Sequence, residues 1–257
     1  MSILSKKHEH IFGFHAVQQK LKSDSSHHVL ELWVQQKRQD VKIQTLLKQA
    51  KQQGIAIQSV QKKTLDKITE NGHHQGVVVL CKAHLVKTKT TLKDILASLT
   101  EQPFLLILDE IQDPHNLGAC LRTADAAGIN AVIIPKNQAC KLTAIVRSVA
   151  CGAADTIPLI EVTNLANTLR WLKKQGIWLI GATEQTQTTI FETKLTGPLA
   201  IIVGSEGMGL RRLTQEICDV LVRLPMLGKV ENLNVSVATG ICLYEAMRQR
   251  MNYTLSE

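Results

Sequence analysis

Between residues 104 and 224, six short stretches are apolar at nearly every position rather than at alternate ones, and nothing else in the chain constrains the fold as much. They are Phe104 to Leu108, Ala131 to Ile134, Thr156 to Ile160, Ile177 to Ile180, Leu199 to Val203 and Val220 to Leu224. A strand with this pattern has to be covered on both faces. The helix-like segments Leu117 to Ala127, Leu142 to Cys151 and Leu165 to Gln175 lie between them, so the pattern predicts an α/β unit with a parallel sheet between helical layers. Ligands in such folds bind beyond the carboxyl ends of the strands. None of the runs approaches the ~20 residues of a membrane-spanning helix.

The first hundred residues are different in kind. Residues 1–101 hold 16 Lys and Arg against 8 Asp and Glu, whereas the remainder holds 14 of each, so the whole net charge of +8 sits in the first part. A basic module joined to a neutral one suits a protein that grips a polyanion with one part and does chemistry with the other. A lysine-rich surface that serves only solubility has the same charge. Val29 to Val34 and Ile55 to Val60 read as strands around a helix at Val41 to Gln53, closed by Gly54 where a C-cap glycine belongs. Gly76 to Cys81 reads as a further strand. The expected division is a small α/β domain at 8–82, a linker at 83–101 with one weak helix at Leu92 to Leu99, and a larger domain at 102–254.

Hydrophobic residues make up 44% of the chain, enough to bury a core. The opening MSILSKKHEH has no apolar stretch of the secretory kind, which predicts a cytoplasmic protein. Cys81, Cys120, Cys140, Cys151, Cys218 and Cys242 form no CxxC pair and read as free thiols. The pairs His27-His28 and His73-His74 lack further ligands at zinc-like spacing, so no metal is expected.

Three motifs carry the chemistry. The first is Leu108-Asp-Glu-Ile-Gln-Asp-Pro-His-Asn-Leu-Gly-Ala-Cys-Leu-Arg122, in which Asp113-Pro114 ends the strand, Asn116 reads as a helix N-cap and Arg122 falls on the first or second helical turn. An arginine in a helix of small apolar residues needs solvent or an anion, and phosphate matches its fork of donors. The second is Ile201-Ile-Val-Gly-Ser-Glu-Gly-Met-Gly-Leu210, whose glycines at 204, 207 and 209 are in the wrong order for a dinucleotide fingerprint. What remains is either an ordinary turn or a loop that lets a ligand approach the backbone and displays Glu206. The third runs from Leu224 through Leu233-Asn-Val-Ser236 to Gly240, where Asn234 and Ser236 open a helix whose free N–H groups either meet an anion or are simply capped.

Together and in this order, the motifs resemble the SpoU/TrmH family of RNA 2'-O-ribose methyltransferases in the SPOUT superfamily. The resemblance covers residues 102–254 and extends to Val149-Ala-Cys-Gly-Ala-Ala154. It implies a deep trefoil knot, S-adenosylmethionine as cofactor, a homodimer with composite sites, and a guanosine 2'-hydroxyl of 23S rRNA as substrate, with a tRNA ribose as the alternative. Ile11-Phe-Gly-Phe-His-Ala-Val17 resembles the start of a ribosomal-protein-like RNA-binding domain, which turns the basic segment toward RNA. By the same resemblance Gly204, Leu224, Met226 and Leu233 hold the cofactor, and Asn116, Arg122, Glu206, Asn234 and Ser236 form the catalytic set. The charged stretch Leu227-Gly-Lys-Val-Glu-Asn-Leu233 departs from the family's small residues.

Overall fold

The computed structural model describes residues 8–22, 28–38, 40–82 and 91–254. They fall into two compact units, the described part of Met1–Lys89 with Leu142–Gly152, and that of Thr90–Lys141 with Ala153–Glu257.

The first unit is built from β1 (His8–Phe12), α1 (Phe14–Lys22), β2 (Val29–Gln35), α2 (Val41–Gln52), β3 (Ala56–Val60), α3 (Lys62–Ile68) and β4 (Val77–Lys82). Its sheet has the order β1-β4-β2-β3, with β4 antiparallel to both neighbours and β2 parallel to β3. One face buries Leu32, Val34, Val77 and Val79 against Val17 and Leu21 of α1 and Ile43 and Leu46 of α2. Helix α2 starts where the Asp40 carboxylate accepts the Ile43 N–H at 3.1 Å. A hydrogen bond from Arg38, then that cap, holds the Asp40 carboxyl below its ordinary range. The helix gives way at Gly54, whose φ of +69° suits glycine. The sequence reading passed over β1, α1 and α3, which are short and broken by polar residues.

The second unit centres on a parallel six-stranded sheet of order β10-β8-β9-β5-β6-β7. Its strands are β5 (Phe104–Asp109), β6 (Ala131–Pro135), β7 (Leu159–Val162), β8 (Trp178–Ala182), β9 (Leu199–Gly204) and β10 (Val220–Val222). Alternate residues of the central strands, such as Leu105, Ile107, Ala200 and Ile202, pack against Leu165, Leu169 and Leu172 of α8 (Leu165–Lys174). The short α9 (Arg212–Ile217) adds Ile217 to the same core. Leu92 and Ile95 of α4 (Leu92–Ser98), from the stretch read as a linker, join that core; residues 83–90 lie outside the described residues. On the sheet's other side α5 (Pro114–Ala126) packs against α10 (Val235–Thr254), which also meets β9. Each such leucine, fully buried, contributes about 1.5 to 3 kcal/mol.

Three local expectations need correction. Helix α5 begins at Pro114, not after Asn116: Asp113 is the N-cap, accepting the His115 N–H at 3.0 Å, and a proline at the first helical position costs no hydrogen bond. Asn116 therefore lies inside the first turn, and Arg122 moves to the third. The strand expected at Thr156 starts only at Leu159. The Ile157 N–H closes a helical turn on Ala153, ending α7 (Ala153–Thr156), and Pro158 has no N–H for a ladder. Finally, the helix read at Leu142 to Cys151 is α6 (Ala144–Ala150), which groups with the first unit rather than covering the parallel sheet. Its Ala144 and Ile145 cover Phe12, Leu65 and Val78, and the Ser148 hydroxyl donates to the Phe12 carbonyl at 2.9 Å.

None of the six cysteines forms a disulfide. Burial pushes Cys120 up to about 11 and Cys242 up to about 12. For Cys218 burial, then the Asp219 carboxylate, gives about 12. These three thiols stay protonated at pH 8, so peptide mass spectrometry after iodoacetamide treatment of native protein is expected to find them unmodified. Rapid alkylation at any of them would contradict this packing. Among the described residues no group of three His, Cys, Asp or Glu is placed to hold a metal, and no helix is long and apolar enough to cross a membrane.

Candidate active site

The chain order of the sheet changes direction between β5 and β9: β5 leads outward to β6 and β7, while β9 is inserted beside β5 and leads away to β10. A crevice beyond the carboxyl ends of the strands is the expected result at such a point. A cavity of about 340 Å3 lies there, bounded by the segments that follow β8, β9 and β10 and by the start of α10. This volume is within the ~300 to 1,000 Å3 of small-molecule and cofactor sites.

Gly204, Leu224, Met226 and Leu233 all line the cavity, together with Val203, Val222 and Ala238. Gly204 ends β9 at a close backbone crossing. A Cβ there would lie 2.1 Å from the carbonyl carbon and oxygen of Gly209 and 2.3 Å from the Leu210 nitrogen. The loop that follows is closed by reciprocal bonds, Ser205 N–H to Gly209 O at 3.2 Å and Gly209 N–H to Ser205 O at 2.9 Å. Gly207 and Gly209 take φ values of +84° and +65°. The loop therefore folds back on itself with Glu206 near its tip.

Asn234, just before α10, joins the polar residues. Its amide donates to Asn116 Oδ1 at 3.0 Å and to Glu206 Oε1 at 2.6 Å. Its Oδ1 accepts from the Ser236 N–H at 2.9 Å and from the Ser236 hydroxyl at 2.6 Å. One side chain thus caps a 20-residue helix and links three separate chain segments. Asn116 is buried, while Glu206, Asn234 and Ser236 are reachable from solvent. The structure brings together four of the five polar candidates. Arg122, the fifth, is exposed on α5 and does not line the cavity.

Sequence reasoning missed Thr183, Glu184 and Gln185, which follow β8, and Gln215, Glu231 and Asn232, all in the cavity wall. The first three were accessible in principle, since they follow the carboxyl end of an apolar strand in a sheet of this kind. Around the site Met208 and Leu227 are 86% and 99% exposed.

Residues 103–244 match the family described as SpoU rRNA Methylase, and residues 10–85 match the one described as RNA 2'-O ribose methyltransferase substrate binding. The 23S rRNA (guanosine-2'-O-)-methyltransferase RlmB of Shewanella oneidensis is 51% identical over 245 residues, 95% of this chain and 99% of that protein. The Escherichia coli K12 protein of the same name is 48% identical over 242 residues, 94% of this chain and 99% of its own. Among solved structures, an RNA 2'-O ribose methyltransferase is similar with a TM-score of 0.80 and 26% identity, covering 96% of this chain and 90% of that one. An AdoMet complex of AviRb from Streptomyces viridochromogenes has a TM-score of 0.73 at 22% identity, covering 96% and 92%, and attests to the fold.

Proposed function

The chain belongs to the SpoU rRNA methylase family, and on that premise we propose that it transfers a methyl group from S-adenosylmethionine to the 2'-hydroxyl of a guanosine ribose in 23S rRNA. The observation that carries this reading is the pairing of a cofactor-sized cavity with the Asn116, Glu206, Asn234 and Ser236 cluster at its edge. The cavity suits the cofactor: it is apolar at Val203, Leu224, Met226 and Leu233, polar at Thr183, Gln185 and Glu231, and has a backbone at Gly204 with no side chain in the way. S-adenosylmethionine supplies an electrophilic methyl on a sulfonium.

The protein's part is to position the ribose oxygen in line and help remove its proton. Arg122 is assigned to the RNA side, where its guanidinium holds the flanking phosphate and stabilises the negative charge that develops on the oxygen. A guanidinium has no lone pair available to take up a proton and is a poor base, so the assignment is electrostatic. Asn116 and Ser236 hold the ribose, and Asn234 fixes both while orienting the Glu206 carboxylate.

Residues 8–82 are assigned to RNA capture, since that segment matches a substrate-binding family and the chain's basic excess lies in its first 101 residues. Of the stretch 83–101, α4 packs in the core of the catalytic domain, so that domain is assigned from α4 to residue 254, and the family's trefoil knot is inferred for it. We assign the active form as a homodimer. Val237, Tyr244 and Met251 recur every seventh residue along α10 and are 50%, 46% and 58% exposed, an apolar stripe fit for a second copy of the helix. An rRNA substrate implies a cytoplasmic protein.

The test is to map 2'-O-methyl groups in RNA from cells with and without the protein. Loss of one guanosine modification in 23S rRNA, restored by purified protein and S-adenosylmethionine, is the expected result. Loss in tRNA with 23S rRNA unchanged would move the substrate to the other branch of the family, and no loss anywhere would overturn the reading.

A further inference from the structure

Asp109 ends β5 in register with Gly204, the residue that ends β9, so the two strands that feed the site finish side by side. The Asp109 carboxylate is fully buried, with its side chain 0% exposed. Its Oδ2 accepts from the Thr214 hydroxyl at 2.7 Å and from the Arg211 N–H at 3.4 Å. Its Oδ1 receives no well-aligned hydrogen bond and depends on the charge of Arg211 Nη2, 2.6 Å away. The other arm of the same guanidinium, Nη1, reaches Glu110 Oε1 at 2.8 Å. Glu110 is a non-glycine residue at φ +65°, a conformation that persists only where its surroundings enforce it.

Arg211 therefore stands at a junction. The chain leaving Glu110 runs through Asp113 into the turn of α5 that carries Asn116. The chain arriving at Arg211 is the folded-back loop that carries Glu206. Both Asn116 and Glu206 bond to the one amide group of Asn234, which tolerates little change in their separation. A surface ion pair would set no such distance, but here one carboxylate is buried and the fork is fixed from both sides.

We propose that Arg211, gripping Asp109 and Glu110 together, is a positioning residue that sets the distance between the loop delivering Asn116 and the loop delivering Glu206. The proposal rests on the methyl-transfer reading above. Arg211, Asp109 and Glu110 do not line the cavity, so the clamp acts through the strand end and the loop it holds, not by contact with cofactor or substrate. Its effect is greater on turnover than on cofactor affinity, because loosening the clamp moves the 205–209 loop less than a side chain wedged against it at Gly204 would.

The test compares full-length Arg211→Gln, Arg211→Lys and Glu110→Gln with the parent chain in four measurements: thermal unfolding, S-adenosylmethionine titration by calorimetry, single-turnover methyl transfer to an rRNA fragment, and hydrogen exchange. Arg211→Gln leaves a buried charge uncompensated and is the variant at risk of not folding. Glu110→Gln keeps the Asp109 pair intact and carries the test in that event. For Glu110→Gln the expected outcome is cofactor affinity within about threefold of the parent and a single-turnover rate lower by about tenfold or more, because small displacements of a catalytic constellation cost that much. Exchange is expected to accelerate in 110–113 and in 205–210 together, and Arg211→Lys, lacking the planar fork, restores only part of the rate. An unchanged rate, loosening confined to 110–113, or a loss explained entirely by cofactor affinity or unfolding would overturn the proposal. A parent chain that binds cofactor but methylates no RNA would instead count against the functional reading, and the exchange experiment would still decide the coupling of the two loops.

Discussion

Arg122→Ala is expected to lower methyl transfer by on the order of 10² to 10³, the loss seen when one preorganised donor to a developing negative charge is removed. Cofactor affinity is expected to stay within about twofold of the parent, because Arg122 is exposed on α5 and lies outside the cavity wall. The fold is expected to tolerate the change, since the residues that pack α5 are Leu117, Cys120, Leu121 and Ala124. Lysine at 122 is expected to restore little, as a point charge does not reproduce two parallel donors to phosphate. Single-turnover kinetics with saturating cofactor provides the measurement, and a variant with normal turnover would remove Arg122 from the mechanism. A second readout addresses the homodimer. If each site takes its guanidinium from one protomer and its Asn234 cluster from the other, co-expressing Arg122→Ala with Asn234→Ala yields mixed dimers with one intact site and measurable activity. No recovery in isolated mixed dimers would mean that one protomer supplies both.

The second large effect is expected at Gly204. The Cβ of Gly204→Ala would meet Gly209 and Leu210 at distances no real Cβ shows, and the atoms it meets are backbone, which no rotamer change can move aside. Relief requires the loop from Ser205 to Leu210 to shift, and Leu210 is itself buried in the core of the sheet. Overpacking of this kind costs about 1 to 3 kcal/mol of stability. Cofactor binding is expected to fall by about 100-fold or more, equivalent to roughly 3 kcal/mol, since the displaced backbone forms the cavity wall. Calorimetric titration and thermal unfolding check this together. Unchanged affinity would show that the loop backbone is not part of the cofactor site.

These two positions show what a sequence reveals and what it withholds. At Gly204 the residues alone left an ordinary turn and a ligand-approach loop open, and only the family resemblance pointed to the cofactor; the structure shows that this glycine ends β9 and lines the cavity. The strands themselves were legible because burial on both faces leaves a continuous apolar run. Asn116 was misread as a cap because Asp113 and Asn116 are both capping types, and only the proline between them decides the frame. Thr156 was misread because an apolar run across Pro158 looks like a strand until the helical turn on Ala153 is counted. The grouping of α6 with the first unit depends on contacts with Phe12 and Leu65 that are remote in sequence, and no local pattern encodes them. Asn234 was singled out as a cap, yet its simultaneous bonds to Asn116 and Glu206 join positions about ninety residues apart from one another and are visible only in three dimensions.

The position of β5 in the sheet bears on how the protein emerges from the ribosome. Its neighbour β6 follows almost at once, but its other neighbour, β9, ends only at Gly204, and the cluster beside the cavity is completed only by Asn234 and Ser236. At about 5 to 20 residues per second, synthesis from residue 110 to residue 234 takes roughly 6 to 25 s. Until β9 is made, within that interval, one edge of β5, with its row of backbone N–H and C=O groups, waits unpaired and vulnerable to association with other nascent chains. Cofactor binding is thus a late event in the life of the polypeptide, and a chain released before residue 234 would carry all six strands but an unfinished wall for its cofactor.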